Sequence, residues 1–321
     1  MAHRALPRWW GRQAGPDGRT SPRSDTTVGP APQDGRPPRQ ARLGDLTGRR
    51  LGAPSPTGPA PARDTPVGGV VLLLPDGEPV SDRPASPLFY AALLPLGRTL
   101  ARAGGPEGLL VHRVRYRTRG WNGVDAHLAA DAAWAAEEAV RRYGDVPVCL
   151  VGHGMGARAA LRAAGHPAVA SVVALAPWLP EEDRAAPPEP VAQLAGRLVL
   201  IVHGTKDRAT DPELSYRLAA RAKKSHRDIC RFEVHADGHA LRQYQDEVLA
   251  LTADFVLGSL FGRHYARPVA DALAAPPPLG LRMPLAAGFG GGAEVRHVTG
   301  RGRGRPGGSA PPQGPGAFRI R

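Results

Sequence analysis

The sequence predicts an α/β fold, a mainly parallel sheet with helices on both faces. Three observations predict it. Short continuous apolar runs such as "GGVVLLL" read as strands buried on both faces. Amphipathic or alanine-rich stretches made of strong helix formers separate them. The two kinds alternate at least five times through the middle of the chain, which sets helices against both sides of a parallel sheet.

Taken in order, the first strand is Gly68–Leu74, and a helix follows over about Pro87–Ala103, where Leu88, Ala91, Ala92, Leu94 and Leu100 supply an apolar side. "GLLVHRVRY" (Gly108–Tyr116) is the second strand. "VDAHLAADAAWAAEEAVRRYG" is the clearest helix, stopped by Gly144. Strand Val146–Val151, helix Met155–Ala164 and strand Val169–Leu175 come next. Strand Leu198–Val202, helix Pro212–Lys224, strand Ile229–His235 and helix Ala240–Leu260 complete the domain. Ligands of open parallel sheets bind at the carboxyl ends of the strands. The segments of interest are therefore "PDGEP", "RTRGWNG", "GHGMG", "APWLPEED", "HGTKD" and "ADGHALR".

Composition sets the expected limits of that domain. Most of the 40 Gly and 35 Pro gather towards the ends, and residues 1–65 show almost no apolar periodicity. Residues 263–321, with "APPPLG" and "RGRGRPGG", are similar. Such segments bury too little apolar surface to offset the entropy of ordering, so both are expected to be disordered around a domain at 66–262. The charge divides in the same way. Residues 1–65 hold eleven Arg against five Asp, and residues 263–321 nine Arg against one Asp and one Glu. These net charges of +6 and +7 make up the whole-chain +13, so the middle is neutral by count.

Arginine-rich ends can bind nucleic acid or another polyanion without sequence preference. Their few aromatics, Trp9, Trp10 and Phe318 among them, offer little for base stacking. Three Lys stand against 39 Arg, the bias of a GC-rich bacterial coding sequence, which favours solvated extensions over a binding arm. No apolar run reaches the ~20 residues of a membrane span, and the N-terminus has no apolar signal core. The two cysteines, Cys149 and Cys230, fall in strands and read as small buried hydrophobes. The expected location is cytoplasmic.

Three strand ends carry a resemblance. "LVGHGMGARAAL", "LVLIVHGTKD" and "VHADGHALR" stand in the order nucleophile, acid, histidine, and over about Pro66 to Gly262 the chain resembles the α/β-hydrolase superfamily. It is most similar to the small dienelactone-hydrolase or thioesterase-like members. After strand Val169–Leu175, "LPEEDRAAPPEPVAQLAGR" offers a loop in place of an inserted lid, so the resemblance implies an open site. It also implies that Asp207 is the acid that orients an imidazole and that His239 is the general base. Alone, Asp207 reads as a solvated loop residue; the role comes with the pair.

Gly154 stands where that family places its nucleophile, and glycine has no side chain to attack with. Serine at such a turn is held in a strained conformation, which glycine adopts freely. The expected oxyanion hole comprises Met155 together with Asp76 and Gly77 of the Pro75–Glu78 loop, although a carboxylate there would oppose a developing negative charge. Cys149 points into the core and Ser171 begins another strand, so neither replaces the nucleophile. His235, Asp237 and His239 alternate along one face, but a metal needs a further convergent ligand, and neither metal nor other cofactor is expected. Arg119, Trp121, Asn122 and Trp178 fall at strand ends without an assigned role.

The sequence thus points to an esterase-like site with Asp207 and His239 retained and the nucleophile lost. Such a site would be weakly active or inactive and left to bind a small acyl or ester-like ligand. Two alternatives stay open: ester hydrolysis by water that the Asp207–His239 pair activates, and a non-catalytic scaffold acting through its basic ends.

Overall fold

A computed structural model of the chain describes residues 39–47, 66–181 and 188–291. An eight-stranded sheet is built in the order β1-β3-β2-β4-β5-β6-β7-β8. Its strands are β1 (Arg42–Leu46), β2 (Gly69–Leu74), β3 (Leu109–Arg115), β4 (Val148–His153), β5 (Val169–Leu175), β6 (Leu198–Gly204), β7 (Ile229–Val234) and β8 (Met283–Pro284). Only β1 runs antiparallel to its neighbour. The predicted fold class is the observed one.

The helices are α1 (Pro87–Ala92), α2 (Leu94–Gly104), α3 (His127–Tyr143), α4 (Met155–Ala163), α5 (Pro212–Ser225), α6 (Gln245–Phe261) and α7 (Arg267–Ala274). Strand pleating divides the core in two. Val148 and Leu150 of β4 pack with α3, α4 and α5, while Cys149 and Val151 face α2, α6 and α7. Both cysteines are buried, as expected, and burial pushes their thiols up to about 12.

The predicted boundaries at 66 and 262 are corrected on both sides. Arg42–Leu46 lies within the segment expected to be disordered, yet it pairs with β3 as an edge strand. Leu43 is buried there, and the His112 ring meets the Gly44 carbonyl at 2.8 Å. Beyond 262, α7 and β8 belong to the fold, burying Val269, Ala272, Leu281 and Leu285. Two buried cations hold this extension. Lys223 Nζ donates to the carbonyls of Ile229 and Ala272, and Arg231 donates to that of Leu281. These partners satisfy charges that could not otherwise stay buried. The other residues of both ends, 1–38, 48–65 and 292–321, lie outside the described residues.

Several element ends also move. The predicted helix over Pro87–Ala103 is broken at Leu93, where Pro95 cannot continue the hydrogen-bond ladder of the first segment. The helix read from Val124 begins at His127, after a short turn flanked by Asn122 and Ala126 in left-handed conformations. The last long helix starts at Gln245, not Ala240, because Asp237 first accepts the backbone N–H groups of Gln243 and Tyr244.

Candidate functional site: a carboxylate at the elbow

Four strand ends converge. Asp76 follows β2, Gly154 follows β4, Asp207 follows β6 and His239 follows β7. Between β4 and α4 the chain reverses within one residue, Gly154, at φ 55° and ψ −119°. The turn is pinned by the Gly154 N–H on the Leu175 carbonyl and by the Trp178 N–H on the Gly154 carbonyl. Gly156 lets α4 start close under the sheet, since a Cβ there would come 2.2 Å from the Leu74 carbonyl oxygen. The glycine pattern therefore builds a true strand-to-helix elbow.

What stands at the elbow is Asp76. Its Oδ1 accepts the N–H of Met155 at 2.8 Å and that of Gly77 at 2.8 Å. Two backbone donors from different loops thus converge on one oxygen, the geometry that binds an oxyanion. The expected site included Asp76 on the donor side. It is the acceptor, because its side chain folds back over its own loop. The same carboxylate fills the space above the elbow: a Cβ on Gly154 would lie 2.1 Å from Asp76 Oδ1. Glu78, the other acidic residue of the loop, turns away to pair with Arg119 at 3.0 Å.

The structure brings Asp207 and His239 together, with His239 Nδ1 2.8 Å from Asp207 Oδ2. Asp207 is held on all sides. Oδ1 accepts the N–H groups of Ala209 and Thr210, and Oδ2 is also met by His203 Nε2 at 3.1 Å. Burial alone would raise its pKa, but these hydrogen bonds hold its carboxyl well below the usual range. His203 was not singled out in the sequence. It lies in β6 four residues before Asp207, a spacing that carries no signal until the loop folds back.

The opposite ring nitrogen, His239 Nε2, faces Asp76 Oδ2 at 3.6 Å. Burial opposes a charge on this ring, yet the two carboxylates that bracket it raise its pKa to about 9. His153, beside the elbow, packs edge-on against His239 with ring centroids 4.9 Å apart. Its Nε2 meets the His239 carbonyl at 2.9 Å, and its Nδ1 stands 3.9 Å from Asp76 Oδ2. Burial pushes the His153 pKa down, against the pull of Asp76. Asp76, for its part, is held below the usual carboxylate range: burial works against it, but His239, His153 and the two N–H groups outweigh that cost.

The other strand-end residues have structural partners. Asn122 accepts the Ser81 N–H, and Trp121 is buried under Arg158, whose guanidinium lies 3.9 Å from its ring and also pairs with Glu189. Ser171 is buried in β5 against Ser259. His235 is exposed and Asp237 is taken up by backbone N–H groups, so the alternating trio does not converge. A different trio does: Asp76, His153 and His239 each offer one ligand atom, all within 4.8 Å of one another. Hollows of about 430 Å³, beside Pro147 and Arg197, and about 250 Å³, beside Arg42 and Arg115, lie away from this cluster.

No protein-family model matches the chain, and no curated protein matches it in sequence. Solved structures are similar in fold. A protein of unknown function from Agrobacterium tumefaciens, provisionally assigned as an α/β hydrolase, is 16% identical with a TM-score of 0.48. The similarity covers 70% of this chain and 92% of that one. The Pyrococcus furiosus esterase Pf2001 is 14% identical over 61% of this chain and 84% of its own, with a TM-score of 0.49. XC6422 of Xanthomonas campestris, an α/β serine hydrolase without a lid, is 18% identical over 71% and 98%, with a TM-score of 0.45. At these values the likeness is one of fold and carries no assignment of activity. The fold itself stands on the strand order and the four strand ends.

Proposed function

We propose that the chain is an α/β-hydrolase-type protein whose serine-type ester-hydrolase centre is closed. Asp207 and His239 are retained, the elbow position has no nucleophile at Gly154, and the carboxylate of Asp76 takes the oxyanion donors. One observation carries this reading: Met155 and Gly77 both donate to Asp76 Oδ1. An acyl oxygen cannot use those donors while Asp76 does, and a fixed negative charge there opposes an oxyanion intermediate. The protein is thus inactive, or weakly active, towards esters, and a small acyl or ester-like ligand engages the cleft only by displacing Asp76.

The test compares wild type, Gly154→Ser and the Asp76→Ala/Gly154→Ser double variant on short p-nitrophenyl esters and with a fluorophosphonate that labels activated serines. The expected order is an inert wild type, little or no gain in the single variant, and labelling with turnover in the double variant. Ester turnover by wild type at the level of the double variant would sink the reading.

A second reading has support in the intact 2.8 Å contact between Asp207 and His239: direct activation of water. With a pKa of about 9, His239 is protonated at neutral pH and cannot take a proton from water. Any such activity must therefore rise with pH towards 9 and vanish in His239→Ala. Polyanion binding by the arginine-rich ends is a separate proposal. Loss of salt-sensitive binding on removal of residues 1–38 and 292–321 would support it, and unchanged binding would reject it.

A further inference from the structure

The tautomers of the two elbow histidines follow from their partners. Asp207 Oδ2 can only accept, so His239 carries a proton on Nδ1. The His239 carbonyl can only accept, so His153 carries its proton on Nε2. In the neutral rings, His239 Nε2 and His153 Nδ1 are bare lone pairs. Both face Asp76 Oδ2, at 3.6 and 3.9 Å. With His239 in its neutral form, three lone-pair-bearing atoms face one point; the proton that His239 carries on Nε2 at neutral pH occupies that point otherwise, and a metal ion binds there by displacing it.

The arrangement has the second-sphere pattern of metal-binding histidines, in which each ligating imidazole gives its other N–H to a carboxylate or a carbonyl. Here one ring is backed by Asp207 and the other by a backbone carbonyl. Bonds of about 2.0–2.2 Å to nitrogen and oxygen require ligand atoms roughly 3.4 Å apart in a tetrahedron. The contacts of 3.6 and 3.9 Å to Asp76 Oδ2 exceed that modestly and all three atoms lie within 4.8 Å, so the rings must draw in to close on an ion. Asp76 Oδ1 keeps its two backbone donors, which fixes the direction of the carboxylate. The three side chains are 21–24% exposed, so an ion can enter from solvent.

We propose that Asp76, His153 and His239 form a binding site for a first-row divalent transition ion such as Zn²⁺. Two imidazoles and one carboxylate suit such an ion, whereas Mg²⁺ and Ca²⁺ ask for an all-oxygen shell. Three protein ligands leave at least one position for water or another small oxygen ligand. The inference goes beyond the closed ester-hydrolase centre and does not depend on it.

The experiment strips the full chain with chelator and titrates Zn²⁺ calorimetrically into wild type, Asp76→Asn, His153→Ala and His235→Ala. The expected result is one equivalent bound by wild type and by His235→Ala, the exposed-histidine control. Affinity should fall about tenfold or more in the other two variants. No stoichiometric binding, or equal binding in all four proteins, overturns the proposal. Should either ligand variant fail to fold, Co²⁺ with wild type decides. Paramagnetic shifts of the His153 and His239 ring protons, with His235 unmoved, uphold the site. Rings of His153 and His239 left unshifted by Co²⁺ overturn it.

Discussion

Gly154 and Asp76 share one small volume, so neither can be changed without regard to the other. Serine at 154 must adopt φ near 55°, a strain of about 1–3 kcal/mol, and its Cβ meets the Asp76 carboxylate. Gly154→Ser is therefore expected to lower stability by at least that strain, with part restored by Asp76→Ala; chemical denaturation of the three proteins checks it. The same carboxylate sets the histidine. A raised pKa means that protonated His239 stabilises the fold below its unfolded value near 6.5, and that this stability is lost as pH rises through about 9. In metal-free Asp76→Asn, one of the two bracketing charges is gone and the His239 pKa should fall. A ring-proton titration by NMR that leaves it near 9 would contradict the assignment. The strain-free glycine and a carboxylate near the oxyanion loop were legible in the sequence; the turn of Asp76 onto the elbow and towards His239 was not. Asp76 and Gly154 lie 78 positions apart, and only the fold decides whether a loop carboxylate points to solvent or to the elbow.

The strands and helices were largely legible, because a strand buried on both faces needs an unbroken apolar run, and β2, β4, β5 and β6 each have one. The misplaced ends have local causes that periodicity does not carry: Pro95 breaks the first helix, left-handed Asn122 and Ala126 delay α3, and Asp237 delays α6. The missed elements are short and set in Pro-, Gly- and Arg-rich sequence, where pairing with a neighbour, not periodicity, makes the structure. Lys223 shows how such pairing is secured. Replacing it with Met leaves the buried carbonyls of Ile229 and Ala272 without their donor, at about 1–3 kcal/mol for each group left unsatisfied. Hydrogen exchange in α7 should then accelerate more than in α3. Equal protection in both proteins would show that the lysine does not anchor the extension.

Across the whole domain, residues 263–291 add buried apolar side chains and partners for two internal cations. A chain ending at 262 forfeits Val269, Leu281 and Leu285, each worth about 1.5–3 kcal/mol when fully buried. Its thermal midpoint should fall well below that of a chain ending at 291, and an unchanged midpoint would refute the wider boundary. The two-residue β8 has one more consequence. It lies along Phe232 and Glu233 of β7 and ends in Pro284, which has no N–H to offer a further strand. Without it, a row of unpaired backbone groups on a strand built of Ile229, Cys230, Phe232 and Val234 becomes an open template. So small a strand covers an edge that would otherwise be open to a second chain, and the shortened chain should leave a sizing column as larger species than the longer one.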